Sequence, residues 1–117
     1  MEKMTEKKRY PRALYRCTVS LWRGTEPIEL DCYTKNISTG GVCVVLPEKL
    51  EIGQEVRLQL QLDDGNPPAD CHARVKWTLA YRTNTPPQPS SLCEVGFQYT
   101  ELSSPDLSRI ERVVTRS

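Results

Sequence analysis

The sequence contains one histidine, no Gly-x-Ser-x-Gly elbow, no Gly-rich loop followed by lysine and no helix-borne metal motif. The common arrangements for nucleophilic attack, phosphate cradling and metal-assisted hydrolysis are therefore missing, and an enzyme is not expected. No apolar run approaches the roughly 20 residues that a membrane-spanning helix needs. Met1–Arg12 is charged and has no apolar stretch behind it, unlike a secretory signal. These absences set the expectation of a cytoplasmic protein without membrane insertion. The five cysteines, Cys17, Cys32, Cys43, Cys71 and Cys93, are odd in number, scattered and without a Cys-x-x-Cys pair. That pattern argues against a zinc ribbon, a thioredoxin motif and a secreted disulfide framework, so no metal cofactor is expected. Cys71 and His72 are neighbours, but adjacent side chains of a strand point to opposite faces and chelate poorly together. Cysteine without a partner behaves as a small hydrophobe, and several of these fall at core-phase positions. There is no internal repeat and no low-complexity segment.

What remains is a chain of 117 residues, 38% hydrophobic and 26% charged, which suits one soluble domain with a modest core. Period-two alternation dominates it. Tyr15, Cys17, Val19 and Leu21 alternate with polar residues, as do Val56, Leu58, Leu60 and Leu62, and then Cys71, Ala73, Val75, Trp77 and Leu79. Each series predicts an antiparallel strand with one wet face. Residues 28–37, 41–46 and 92–100 complete about six strands. Gly24-Thr25-Glu26-Pro27 reads as a tight hairpin link and Asp63–Pro68 as a longer turn of ordinary turn formers. The Thr83–Ser91 stretch, with three prolines, reads as a mobile loop. Near the end, Ser103 or Ser104 precedes Pro105, and Leu107, Ile110, Val113 and Val114 recur at helical spacing. A serine cap with proline close to the first helical position opens that helix, whose apolar stripe has to dock on something. Short strands in series with one terminal helix predict an all-β domain, either a small antiparallel barrel or a sandwich; a closed barrel would leave no exposed sheet edge.

Charge is unevenly spread. Residues 1–16 carry six Lys/Arg against two Glu, or +4, which leaves −3 for the other 101 residues of a chain whose total is +1. Charge alone leaves two readings open: an arm that meets an anion, or a solvated tail. Two stretches then stand out. Lys7-Lys8-Arg9-Tyr10-Pro11-Arg12 lies just ahead of the first strand, and Asn36-Ile37-Ser38-Thr39-Gly40-Gly41 lies between the second and third. Arg12 and Asn36 are 24 residues apart, enough for one strand up and one back.

On these residues the sequence resembles the PilZ family, whose signature is R-x-x-x-R, a spacer of similar length, then [D/N]-x-S-x-x-G. Asn36, Ser38 and Gly41 match the second half. Val75-Lys76-Trp77, Glu94-Val95-Gly96-Phe97-Gln98-Tyr99 and the Thr100–Ser103 lead into a helix are also similar, so the resemblance runs from about Lys7 to Val114. It implies a six-stranded antiparallel β-barrel with a C-terminal α-helix: residues 1–6 a flexible tail, 7–13 a ligand-binding arm, 14–100 the barrel and 104–115 the helix. It also implies a receptor for cyclic di-GMP, a second messenger, that signals to an unidentified bacterial protein partner in processes such as motility or biofilm formation. One departure is that Lys8 stands where the first arginine is usual, giving K-x-x-x-R with Arg9 beside it. Arg12-Ala13-Leu14-Tyr15-Arg16 satisfies R-x-x-x-R literally, but Arg16 lies within the first strand pattern, out of phase with Tyr15 and Cys17.

The expected ligand residues are thus Lys8, Arg9, Arg12, Asn36, Ser38, Gly41 and Trp77. Arginine's planar fork pairs with guanine O6 and N7 or clamps phosphate, whereas lysine is a point charge without the fork. Asn36 offers an amide, Ser38 a hydroxyl for base or phosphate, and Gly41 either a positive φ or close ligand approach. Trp77 could stack on a guanine or, sharing phase with Val75, fill the barrel core. Two other readings compete: a PilZ-like interaction module of pilus or motility systems that binds no ligand, and a nucleic-acid-binding barrel. The acidic body and the lack of an aromatic-rich strand face speak against a nucleic acid polymer as partner.

Overall fold

The computed structural model describes residues 17–83 and 90–116. The expected tail and arm, including Lys8, Arg9 and Arg12, and residues 84–89 of the expected proline-rich loop lie outside the described residues. Six strands are followed by one helix: β1 Thr18–Arg23, β2 Glu26–Ile37, β3 Gly41–Leu46, β4 Glu55–Gln61, β5 Ala69–Thr83, β6 Ser90–Glu101 and α1 Ser104–Arg116. They close into an antiparallel barrel in the order β1-β2-β3-β6-β5-β4. Closure is made by β1 on β4, from Thr18 opposite Gln61 to Trp22 opposite Arg57, which decides for a barrel over a sandwich.

The alternation read from the sequence sets which side chains point inward. Val19 and Leu21 from β1, Val56, Leu58 and Leu60 from β4, and Cys71, Ala73 and Val75 from β5 all lie in one buried cluster. Val42, Val44 and Leu46 of β3 and Val95 and Phe97 of β6 complete its walls. Removing these side chains from water is the main term that holds so small a domain folded. Cys17, Cys43, Cys71 and Cys93 are buried, Cys32 is half-buried, and none of the five is in a disulfide. Burial pushes the Cys17 thiol up, and that of Cys71 up to about 12, the reverse of what a reactive thiolate or metal ligand requires.

The alternation breaks inside β5. Val75 stands opposite Phe97 and Trp77 opposite Gly96, so Lys76 is an extra residue and the strand is bulged. Beyond the bulge the faces exchange: Trp77 is 37% exposed and Leu79 56%. The core alternative for Trp77 is therefore corrected, because a register shift moves every later side chain to the other face. β5 and β6 also run further than expected, pairing out to Thr83 opposite Ser90.

The terminal helix starts as the sequence requires. The Ser103 hydroxyl accepts the Asp106 backbone N–H at 3.2 Å, capping the first turn. Ile110 and Val113 are buried in the barrel cluster and Val114 packs against it. Arg109 then fixes the helix to the Asp63–Pro68 turn. Its guanidinium donates to both Asp64 oxygens at 2.7 and 2.9 Å, to Asp106 at 3.0 Å and to the Pro67 carbonyl at 2.8 Å. Asp64 is therefore more than a turn former, although it also accepts the Asn66 N–H at 3.1 Å. The Arg109 side chain is 11% exposed and that of Asp64 17%, which makes this a sheltered, bidentate pair rather than a solvated one. The Arg109 bonds hold the Asp64 carboxyl well below the usual carboxylate range. Arg109→Ala should cost about 2 kcal/mol, because it leaves Asp64 without its charged partner. A depressed folded-state pKa adds stability that is complete above the unfolded-chain value of roughly 4 and declines as pH falls below it. Thermal melts from neutral to acid pH check both points: wild type loses more stability on acidification than Arg109→Ala does.

Candidate functional site

The β2–β3 turn is closed by Ser38. Its hydroxyl accepts the N–H groups of Gly40 and Gly41, each at 3.1 Å, and donates to the Gly41 carbonyl at 3.3 Å. The Ser38 N–H donates to that same carbonyl at 2.8 Å. Ser38 is 1% exposed, so its side chain is spent within the turn, and a contact from it to a base or phosphate would have to replace one of these bonds. Of the two reasons expected for Gly41, a positive φ does not apply, and a packing reason inside the barrel stands beside close ligand approach. The Gly41 φ is not left-handed, unlike those of Gly24, Gly53 and Gly65. A Cβ at Gly41 would instead run into the Phe97 carbonyl oxygen, so the close approach it permits is that of β6, where Gly41 faces Gln98. The turn is tied to β6 a second time by the Tyr99 N–H, which donates to the Gly40 carbonyl at 3.1 Å.

From this turn a row of residues runs across four strands. Asn36 on β2 is opposite Cys43 on β3, Cys43 is opposite Gly96 on β6, and Gly96 is opposite Trp77 on β5. A Cβ at Gly96 would fall within the Trp77 indole, so the ring lies directly over the Gly96 backbone on the outside of the barrel. The bulge at Lys76 turns Trp77 outward, and Gly96 gives it a flat place to lie. Asn36 is half-buried, and it follows Lys35, the extra residue of a second bulge between Thr34 and Asn36. The structure thus brings Asn36, Ser38, Gly41 and Trp77 onto one connected stretch of barrel; Lys8, Arg9 and Arg12 lie outside the described residues.

Sequence reasoning gave Gly96 no role, although an isolated glycine inside a strand is itself a sign of close approach. It also missed Lys35, Cys43 and Glu94, which form a small polar cluster beside the row. The Lys35 ammonium is 3.0 Å from Glu94, and the Cys43 thiol donates to the same carboxylate at 3.4 Å. Elsewhere, an open depression of about 540 Å³ is lined by Arg57, Asp70, Cys71, His72, Glu101, Leu102 and Ser103, none of them an expected ligand residue. Its arginine is engaged by Asp70 at 3.0 and 3.2 Å, which lowers the Asp70 carboxyl. Among the described residues no cluster of His, Cys, Asp or Glu could hold a metal ion, and no helix is long and apolar enough to cross a membrane.

A closed six-stranded barrel, followed by one docked helix and carrying a Ser-closed Asn-x-Ser-x-x-Gly turn between β2 and β3, defines a small class of β-domains. The family model of the PilZ domain matches residues 6–116, and the chain belongs to the PilZ domain family. Among solved structures it is similar to the Bacillus subtilis inhibitor of motility MotI/DgrA, with 22% identity and a TM-score of 0.70, covering 95% of this chain and 50% of that one. It is also similar to the PilZ domain with c-di-GMP of YcgR from Escherichia coli, with 13% identity and a TM-score of 0.70, covering 95% and 91%. The K. pneumonia MrkH–c-di-GMP complex gives 18% identity and a TM-score of 0.71, covering 94% and 52%. At these identities the likeness shows the shared fold. The chain spans about half the length of the MotI and MrkH chains. No curated protein sequence matches it.

Proposed function

We propose that this chain is a cyclic di-GMP receptor domain that orders a basic arm, residues 7–13, around the dinucleotide and presents the altered surface to a partner protein. The observation that carries this reading is the row from Asn36 to Trp77, which sets an exposed indole on the same outer face as the family's Asn-x-Ser-x-x-Gly turn. Two of the similar structures, those of YcgR and MrkH, hold c-di-GMP, which supports the ligand class.

Each residue has a distinct part. Arg9 and Arg12 supply planar forks for guanine edges or phosphate. Lys8 adds a point charge. Asn36 offers its amide, Ser38 and Gly41 hold the turn against β6, and Trp77 gives a face on which a guanine stacks. A binding and signalling role needs no catalytic group.

Calorimetric titration with cyclic di-GMP, set against a single-stranded oligonucleotide, tests this function. Heat with the dinucleotide alone supports it; heat with the oligonucleotide alone favours a nucleic-acid-binding barrel. Lys8→Arg should tighten binding by about tenfold, the size of one gained bidentate contact. The substitution of arginine by Lys8 is also what favours a second reading, a PilZ-like interaction module that binds no ligand and acts by protein contact alone.

A further inference from the structure

An acidic residue stands on the face that the dinucleotide would occupy. Glu94 lies two residue pairs from the Asn36–Cys43–Gly96–Trp77 row, and so on the same face, opposite Val45 on β3 and Leu79 on β5. Its side chain is 13% exposed, while that of Lys35 is 50% exposed, so the carboxylate is held down at the barrel and the ammonium reaches into solvent. Cys43 confirms the direction: Val42 and Val44 on either side of it belong to the core, whereas its thiol meets Glu94 outside. Lys35 is placed there by the bulge between Thr34 and Asn36, and it immediately precedes the asparagine of the turn. A ligand carrying two phosphates and laid over this strip meets the carboxylate as a like charge and the ammonium as an opposite one.

We infer that Lys35 is a further phosphate-binding residue of this site and that Glu94 is its internal competitor. Ligand phosphate takes the Lys35 ammonium away from the carboxylate. This rests on the reading of the chain as a cyclic di-GMP receptor. The ammonium end of this pair is half-exposed and screened by water, so Lys35 can exchange partners at modest cost while the Cys43 thiol still donates to the Glu94 carboxylate. Its long stem and compact charge suit such an exchange, which a bidentate arginine would resist. The cation comes from the barrel wall rather than from the basic N-terminal stretch, whose sequence has Lys8 where the family pattern has arginine. The site therefore carries its own counter-anion, which lowers affinity and makes ligand binding depend on the charge at Glu94.

The test is calorimetry with cyclic di-GMP on the full chain, on Lys35→Met and on Glu94→Gln, with thermal melts to show that all three are folded. Lys35→Met should weaken binding about tenfold, and Glu94→Gln should tighten it about threefold to tenfold, as expected for one partly screened charge near a phosphate. If wild type binds and both variants bind equally well, the inference is overturned and the receptor reading stands. Weaker binding by Glu94→Gln also overturns it, because Glu94 would then be holding Lys35 in place rather than competing for it. No heat from any of the three proteins removes the receptor reading, and this inference with it.

Discussion

Gly41→Ala should destabilise the domain by about 3 kcal/mol, a large part of the roughly 5–15 kcal/mol available to a domain of this kind. The added methyl carbon would sit on the Phe97 carbonyl oxygen, and the next nearest atoms are also backbone, Phe97 C and the Gln98 Cα. No side-chain rotation relieves that contact; β3 and β6 have to separate. These two strands pair over six residues, from Gly41 opposite Gln98 to Leu46 opposite Cys93, so the strain falls on the ladder that holds the turn to the barrel. Gly96→Ala makes a useful contrast, since the obstructing atoms there belong to the Trp77 side chain. Denaturant melts should therefore show a larger loss for Gly41→Ala than for Gly96→Ala. Equal losses would mean that the Phe97 carbonyl yields easily.

Arg9→Ala and Arg12→Ala, made separately, should each weaken cyclic di-GMP binding by roughly 100-fold or more while leaving the melting temperature unchanged. Each removes a bidentate, charge-assisted contact, worth about 1–3 kcal/mol for a guanine edge, and a phosphate clamp besides. Both precede β1, in the basic stretch that the proposed function gives to the ligand. Calorimetry paired with a thermal melt separates loss of ligand from loss of fold. Binding that survives Arg12→Ala but fails with Arg16→Ala would show that the ligand arginines are in the other register.

The strands were legible because the core faces alternate strictly: Val56, Leu58 and Leu60, or Cys71, Ala73 and Val75, can point inward together only from extended chain. The helix was legible from the Ser103 cap and the spacing of Ile110, Val113 and Val114. The bulge at Lys76 was not, because nothing in the local pattern of β5 breaks there. It arises from how β5 registers against Gly96 on β6, a contact distant in sequence. The same holds for barrel closure, which depends on β1 meeting β4, and for the Arg109–Asp64 pair, which spans 45 residues. In the turn, residue identity was legible and role less so. Asn-x-Ser-x-x-Gly marks the place, but the Ser38 hydroxyl and the Gly41 backbone serve the turn and β6, as only the hydrogen bonds reveal. Lys35 and Glu94 went unread because a lysine and a glutamate 59 residues apart carry no spacing signal until the strands are assembled.

Titration of the full chain with cyclic di-GMP in a calorimeter, followed by amide NMR of the same sample, bears most directly on the function. Saturable heat is expected, with amide shifts concentrated at Lys35–Gly41, Cys43, Glu94–Gly96 and Trp77. Absence of heat at high ligand concentration, with those amides unmoved, would contradict the receptor reading.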